Sequence, residues 1–160
     1  MIKLLNKIRR TGRVAEPASP PPPLSCPKAA RLGGSVQLRH VDAGSCNGCE
    51  IEIGSAFGPV HDAERYGARL VPSPLPPYAV LATGPVTRNL AEPLRRSVAA
   101  LPEPRIVVAV GDCAINRGEF AEAYGVVGAV GDVVPVDVTV PGCPPPPEAI
   151  VTALRGLTGR

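Results

Sequence analysis

The chain has 160 residues and a formal charge of +3, which is the length of one domain and too weak a charge for a nucleic-acid surface. Its 21 prolines gather in a few places with aliphatic runs between them, so the composition does not mean disorder. With no Trp, two Phe and three Tyr, the core must be built from Val, Ala, Leu and Ile, which suits the aliphatic runs of buried parallel strands.

Residues 1–11 are predicted to form a short helix, with Ile2, Leu4, Leu5 and Ile8 on one face and Lys3, Lys7 and Arg10 around it. Such a segment suits docking to a partner or an anionic membrane surface, and equally a solvated tail. It has neither the uninterrupted apolar run nor the cleavage site of a signal peptide, and Arg9-Arg10 is not followed by an apolar stretch. No apolar stretch of the sequence is long enough to span a bilayer. A cytoplasmic protein is therefore expected, in which five cysteines are metal ligands or redox groups rather than disulfides. Residues 17–27 contain Pro20 to Pro23 and read as an extended spacer. Residues 1–35 thus form an N-terminal docking segment and spacer, ahead of a domain over 36–160.

From residue 36 strands and helices alternate. Strands are expected at 36–41, 78–82, 105–110 and 133–140, and helices at 47–57, 89–101, 117–123 and 146–157. Leu90, Leu94, Val98 and Leu101 recur at helical spacing, as do Ile150, Val151 and Leu154. The alternation predicts an α/β domain with a mainly parallel sheet.

Four cysteines carry the chemistry. Cys46 and Cys49 lie in Ser-Cys-Asn-Gly-Cys-Glu after the first expected strand. Cys113 follows the third in Gly-Asp-Cys-Ala, and Cys143 follows the fourth in Pro-Gly-Cys-Pro. All four should emerge at the carboxyl edge of one sheet, where open α/β sheets place their ligands. Four converging thiolates suit a tetrahedral zinc or an iron–sulfur cluster. One Cys-x-x-Cys pair with two distant single cysteines favours the cluster, because zinc ribbons usually carry two such pairs. A thioredoxin-like pair would leave Cys113 and Cys143 unexplained. Gly48, Gly111 and Gly142 are expected to let backbone amides approach sulfur. Pro144 resembles the Cys-Pro ending of cluster motifs. Cys26 has no partner motif and reads as a free thiol.

These motifs resemble a known family. His40-Val-Asp-Ala-Gly-Ser-Cys-Asn-Gly-Cys-Glu-Ile-Glu-Ile53 is similar to the cluster-binding opening of the small subunit of membrane-associated nickel–iron hydrogenases, including formate hydrogenlyase. Thr83-Gly-Pro-Val-Thr87, the run from Pro104 to Ala114 and the run from Pro135 to Pro145 continue the match. The 20 kDa, B-type subunit of respiratory complex I (NADH:ubiquinone oxidoreductase) shares the fold and motifs. The resemblance covers roughly residues 36 to 157. It implies a flavodoxin-like fold with one 4Fe–4S cluster held by Cys46, Cys49, Cys113 and Cys143. It also implies an electron-transfer subunit beside a hydrogenase-like large subunit, with further iron–sulfur and membrane subunits. The site of action would be the inner face of the cell membrane, reached through those partners. The complex I branch carries adjacent cysteines at positions corresponding to 48 and 49, whereas this chain has Gly48 and Cys46. That departure points to the hydrogenase branch, with the quinone-reducing subunit as the alternative. A zinc-stabilised structural module is the alternative of another class.

Glu50 and Glu52 would sit in the first turns of a helix, where negative charge is favoured. They are also candidates for an interface or a proton path, Glu52 the better one because both branches of the family place a glutamate there. Asp112 is expected to cap the helix after it. His40 and His61 read as structural. Thr83-Gly84-Pro85 falls on the carboxyl edge, lining the site or turning the chain. The sequence carries no Gly-x-Gly-x-x-Gly fingerprint for NADH or flavin.

Overall fold

The structure is a computed structural model that describes residues 2–12, 20–72 and 78–160. Its frame is a five-stranded sheet built from β1 (Val36–Asp42), β2 (Ala68–Leu70), β3 (Ala79–Thr83), β5 (Ile106–Val110) and β7 (Val138–Val140). The strands run in the order β2-β1-β3-β5-β7, and every pair is parallel. Counting only the sheet's own strands, this is the flavodoxin-like order, with the switch point between β1 and β3. A separate antiparallel pair joins β4 (Val86–Thr87) to β6 (Val126–Gly128).

The core follows from strand periodicity. Along β3 and β5, Ala79, Leu81, Ile106, Val108 and Val110 face one side, and Val80, Ala82, Val107 and Ala109 face the other. All nine are essentially inaccessible to solvent, as expected for strands covered on both faces. Helices α2 (Gly48–Ala56) and α5 (Pro147–Thr158) pack on the first side through Ile53, Ile150, Leu154 and Leu157. Helices α3 (Ala91–Ala99) and α4 (Asp112–Asn116) cover the second through Leu94, Val98 and Ala114. This is the expected fold, an open parallel sheet wound on both faces.

Several elements differ from expectation for local reasons. The strand expected over 133–140 begins only at Val138. Pro135 has no N–H for a ladder, residues 130–132 form a 3₁₀ turn, and the Asp137 carboxylate accepts from Val107 N at 2.9 Å in place of a strand partner. The helix expected over 117–123 is displaced to 112–116, because Arg117 adopts a left-handed conformation (φ 73°) that ends α4, and a 3₁₀ turn follows at 118–120. β2, β4 and β6 have two or three residues each, too few to show a period.

The N-terminal helix α1 (Ile2–Thr11) forms with no residue buried. Ile2, Leu4, Leu5 and Ile8 are all more than half exposed. The segment from Pro20 comes to α5, where Ser25 N donates to Gly156 O at 2.9 Å. A 3₁₀ helix over Pro27–Leu32 then buries Ala29, and Lys28 pairs with Asp137 at 2.8 Å.

Candidate metal centre

Because the sheet is parallel, the ends of β1, β3, β5 and β7 lie along one edge, and the loops leaving them meet there. A cavity of about 140 Å³ opens between these loops. Its walls include all four of Cys46, Cys49, Cys113 and Cys143, with Gly84, Gly142 and Pro144. The structure thus brings the four expected thiols together. Cys49 and Cys113 are buried at its base, while Cys46 and Cys143 are exposed. Cys26 lies apart, half-buried against the core beside α5. Among the described residues no three Cys, His, Asp or Glu side chains close on a point that a single ion could occupy. The thiols surround a space instead.

The loop chemistry explains how they get there. After β1, the Asp42 carboxylate accepts from Gly44 N and Ser45 N, both at 2.7 Å, and turns the chain toward Cys46. Asn47 follows in a left-handed conformation (φ 73°), so α2 starts at Gly48 and carries Cys49 on its first turn. After β5, Gly111 adopts φ 93° and ψ 155°, a region essentially reserved for glycine. A Cβ built there would stand 2.5 Å from Cys49 Sγ. Gly111 is therefore where one ligand loop passes directly under the thiol of another.

The amides of Gly111 and Gly142 are engaged away from sulfur, while Cys113 has a backbone hydrogen bond from Glu119. Gly111 N donates to Val140 O at 2.8 Å, and Gly142 N donates to Asp112 Oδ1 at 2.8 Å. Asp112 N returns a bond to Gly142 O at 2.9 Å. Asp112 is consequently no helix cap: it locks the Cys113 loop to the Cys143 loop. The Gly-Asp-Cys spacing holds no signal for this role, because the partner lies 30 residues away.

The electrostatics suit a centre that must be charged by metal. Without metal, the Cys49 thiol is pushed up to about 12, first by burial, then by the negative charge of Glu50 and of the other three cysteines. Cys113 is also raised, by burial and by Cys143 and Cys46. Four thiolates side by side need a cation to hold them ionised.

Glu50 extends the site downward. Its Oε1 accepts from Ser45 Oγ at 2.7 Å and from Thr83 Oγ1, and His40 Nε2 lies 3.3 Å away. Thr83 is fully buried and also meets His40 Nε2 at 2.9 Å. Glu52 is half-buried, with no hydrogen-bond or ion-pair partner among the described residues. His61 lies elsewhere, 3.9 Å from Glu148.

The part of the chain that carries these cysteines matches known proteins. The description NADH ubiquinone oxidoreductase, 20 Kd subunit, matches residues 46–157, a span that contains all four cysteines. Formate hydrogenlyase subunit 7 of Escherichia coli is 45% identical over 119 residues, 74% of this chain and 47% of that protein. The chain therefore spans about half the length of that relative. The probable membrane-bound hydrogenase subunit mbhJ of Pyrococcus furiosus is 45% identical over 120 residues, 75% of this chain and 72% of its own. Among solved structures, a chain of the membrane-bound sulfane sulfur reductase, an archaeal respiratory membrane complex, superposes with a TM-score of 0.69. It is 30% identical and covers 81% of this chain and 72% of its own.

Proposed function

Since the chain belongs to the NADH ubiquinone oxidoreductase 20 kDa subunit family, we propose that it is an iron–sulfur electron-transfer subunit of a nickel–iron hydrogenase or formate hydrogenlyase-type complex. The observation that carries this reading is the cavity at the carboxyl edge, lined by four thiols from three separate loops. An all-cysteine donor set made of one Cys-x-x-Cys pair and two distant single cysteines fits one 4Fe–4S cluster better than zinc. When bound, such a cluster supplies one-electron transfer. Cys46, Cys49, Cys113 and Cys143 hold it. The Asp112–Gly142 lock and the Gly111 turn keep Cys113, Cys143 and Cys49 at fixed separations. Buried Cys49 and Cys113 keep water from the base of the site, and the side of Cys46 and Cys143 is left for a partner to cover.

That partner is a hydrogenase-like large subunit carrying the catalytic metals, with further iron–sulfur and membrane subunits completing the assembly. Among the described residues no helix is long and apolar enough to cross a membrane. The chain's place is the inner face of the membrane, where those subunits hold it. The hydrogenase branch is favoured over the quinone-reducing one by Cys46 with Gly48. Anaerobic purification with iron and acid-labile sulfide analysis tests the reading. About four irons and four sulfides per chain are expected, lost in Cys49→Ser, Cys113→Ser or Cys143→Ser and kept in Cys26→Ser. A single colourless zinc would overturn it.

A further inference from the structure

Glu50 stands next to Cys49 on α2, and its side chain meets three other elements beneath the cavity. Its Oε1 takes hydroxyl hydrogens from Ser45, at 2.7 Å, and from Thr83. Ser45 precedes Cys46, and Thr83 precedes Gly84, so both donors border residues of the cavity wall. His40 of β1 lies 3.3 Å from the same oxygen. The other oxygen, Oε2, is buried with no hydrogen-bond partner. Two hydroxyls from different loops thus converge on one oxygen of the same carboxyl group. A buried carboxylate oxygen left without a partner is costly, and packing alone would be served better by an apolar side chain.

We propose that Glu50 is a positioning residue for the cluster: its carboxylate fastens the Cys46 loop, the Cys49 helix and the end of β3 into one unit, and its charge holds the cluster's midpoint potential down. The tie follows from the shared oxygen, since losing it frees Ser45 and Thr83 from α2 together. The charge effect follows from Coulomb's law in a poorly screened interior, where a nearby anion opposes addition of an electron. The inference rests on the cluster reading above.

The test uses the full chain, reconstituted anaerobically, with iron and sulfide analysis and a redox titration at fixed pH followed by electron paramagnetic resonance. Glu50→Gln keeps the shape and an acceptor oxygen for Ser45 and Thr83 but removes the charge. It should load iron like the wild type and titrate at a higher potential. Glu50→Ala also removes the tie, and should load less iron and lose it faster to a chelator. An unchanged potential in Glu50→Gln overturns the inference, as does Glu50→Ala holding iron as firmly as the wild type. Should Glu50→Ala fail to fold, the Glu50→Gln potential decides alone. A wild-type chain that binds zinc or no iron overturns the cluster reading itself, a result distinct from an iron-loaded wild type with insensitive variants.

Discussion

Replacing Gly111 by Ala should empty the metal centre while replacing Gly48 by Ala should not, although both glycines adjoin ligands. At Gly111 the backbone (φ 93°, ψ 155°) lies where L residues are strained by roughly 1–3 kcal/mol. The new methyl would also stand 2.5 Å from Cys49 Sγ, where ordinary contact begins at 3.4 Å. The thiol or the β5–α4 turn must therefore move by roughly 1 Å, several times the tolerance of about 0.2 Å on metal–ligand distances. The turn cannot yield alone, because Gly111 N and Asp112 N are bonded to Val140 O and Gly142 O. At Gly48 the methyl would meet only Cys46 Sγ at 3.6 Å and Pro144 carbons at 3.8 Å, ordinary contacts. There it should stabilise α2 by up to about 1 kcal/mol through helix propensity. Both variants are reconstituted anaerobically and assayed for iron and sulfide, with urea unfolding of each metal-free form. Wild-type iron content in Gly111→Ala, or loss of iron in Gly48→Ala, would refute the reasoning.

The same geometry makes position 48 a latent ligand site. Its Cβ direction opens toward Cys46 Sγ, so Gly48→Cys should restore iron binding to the Cys46→Ser variant, read as iron per chain; no gain over Cys46→Ser alone would count against it. The metal-free protein should also have a characteristic alkaline weakness. Cys49 loses its proton near 9 when unfolded and at about 12 when folded, chiefly because of burial. Between those values the unfolded state binds fewer protons, so stability is level below pH 9 and falls as pH rises toward 12. Urea midpoints of the metal-free form at about pH 7 and about pH 10.5 check the sign, and Cys49→Ser should flatten the difference.

Much of this protein is written locally. The aliphatic runs at β3 and β5 announce buried parallel strands because a strand covered on both faces has no polar positions to alternate. Leu94 and Val98 mark α3, and Ile150 and Leu154 mark α5, by helical spacing. The cysteines follow strands in the sequence, and parallel topology alone then sends them to one edge. What tertiary structure decided are contacts between segments far apart in the chain. Asp112 reads as a helix cap until Gly142 N, 30 residues on, is found on its carboxylate. Family resemblance singles out Glu52 of the two carboxylates, but the lateral position of β3 makes Glu50 the wired one, because Thr83 comes within reach of its side chain across 33 residues. β7 starts late because, although Asp137 N donates to Val107 O, Val107 N donates to the Asp137 carboxylate and not to a backbone carbonyl of that segment. Periodicity reports which face a residue presents, but the partner waiting on that face is set by strand order and register, and those emerge only when the whole sheet has formed.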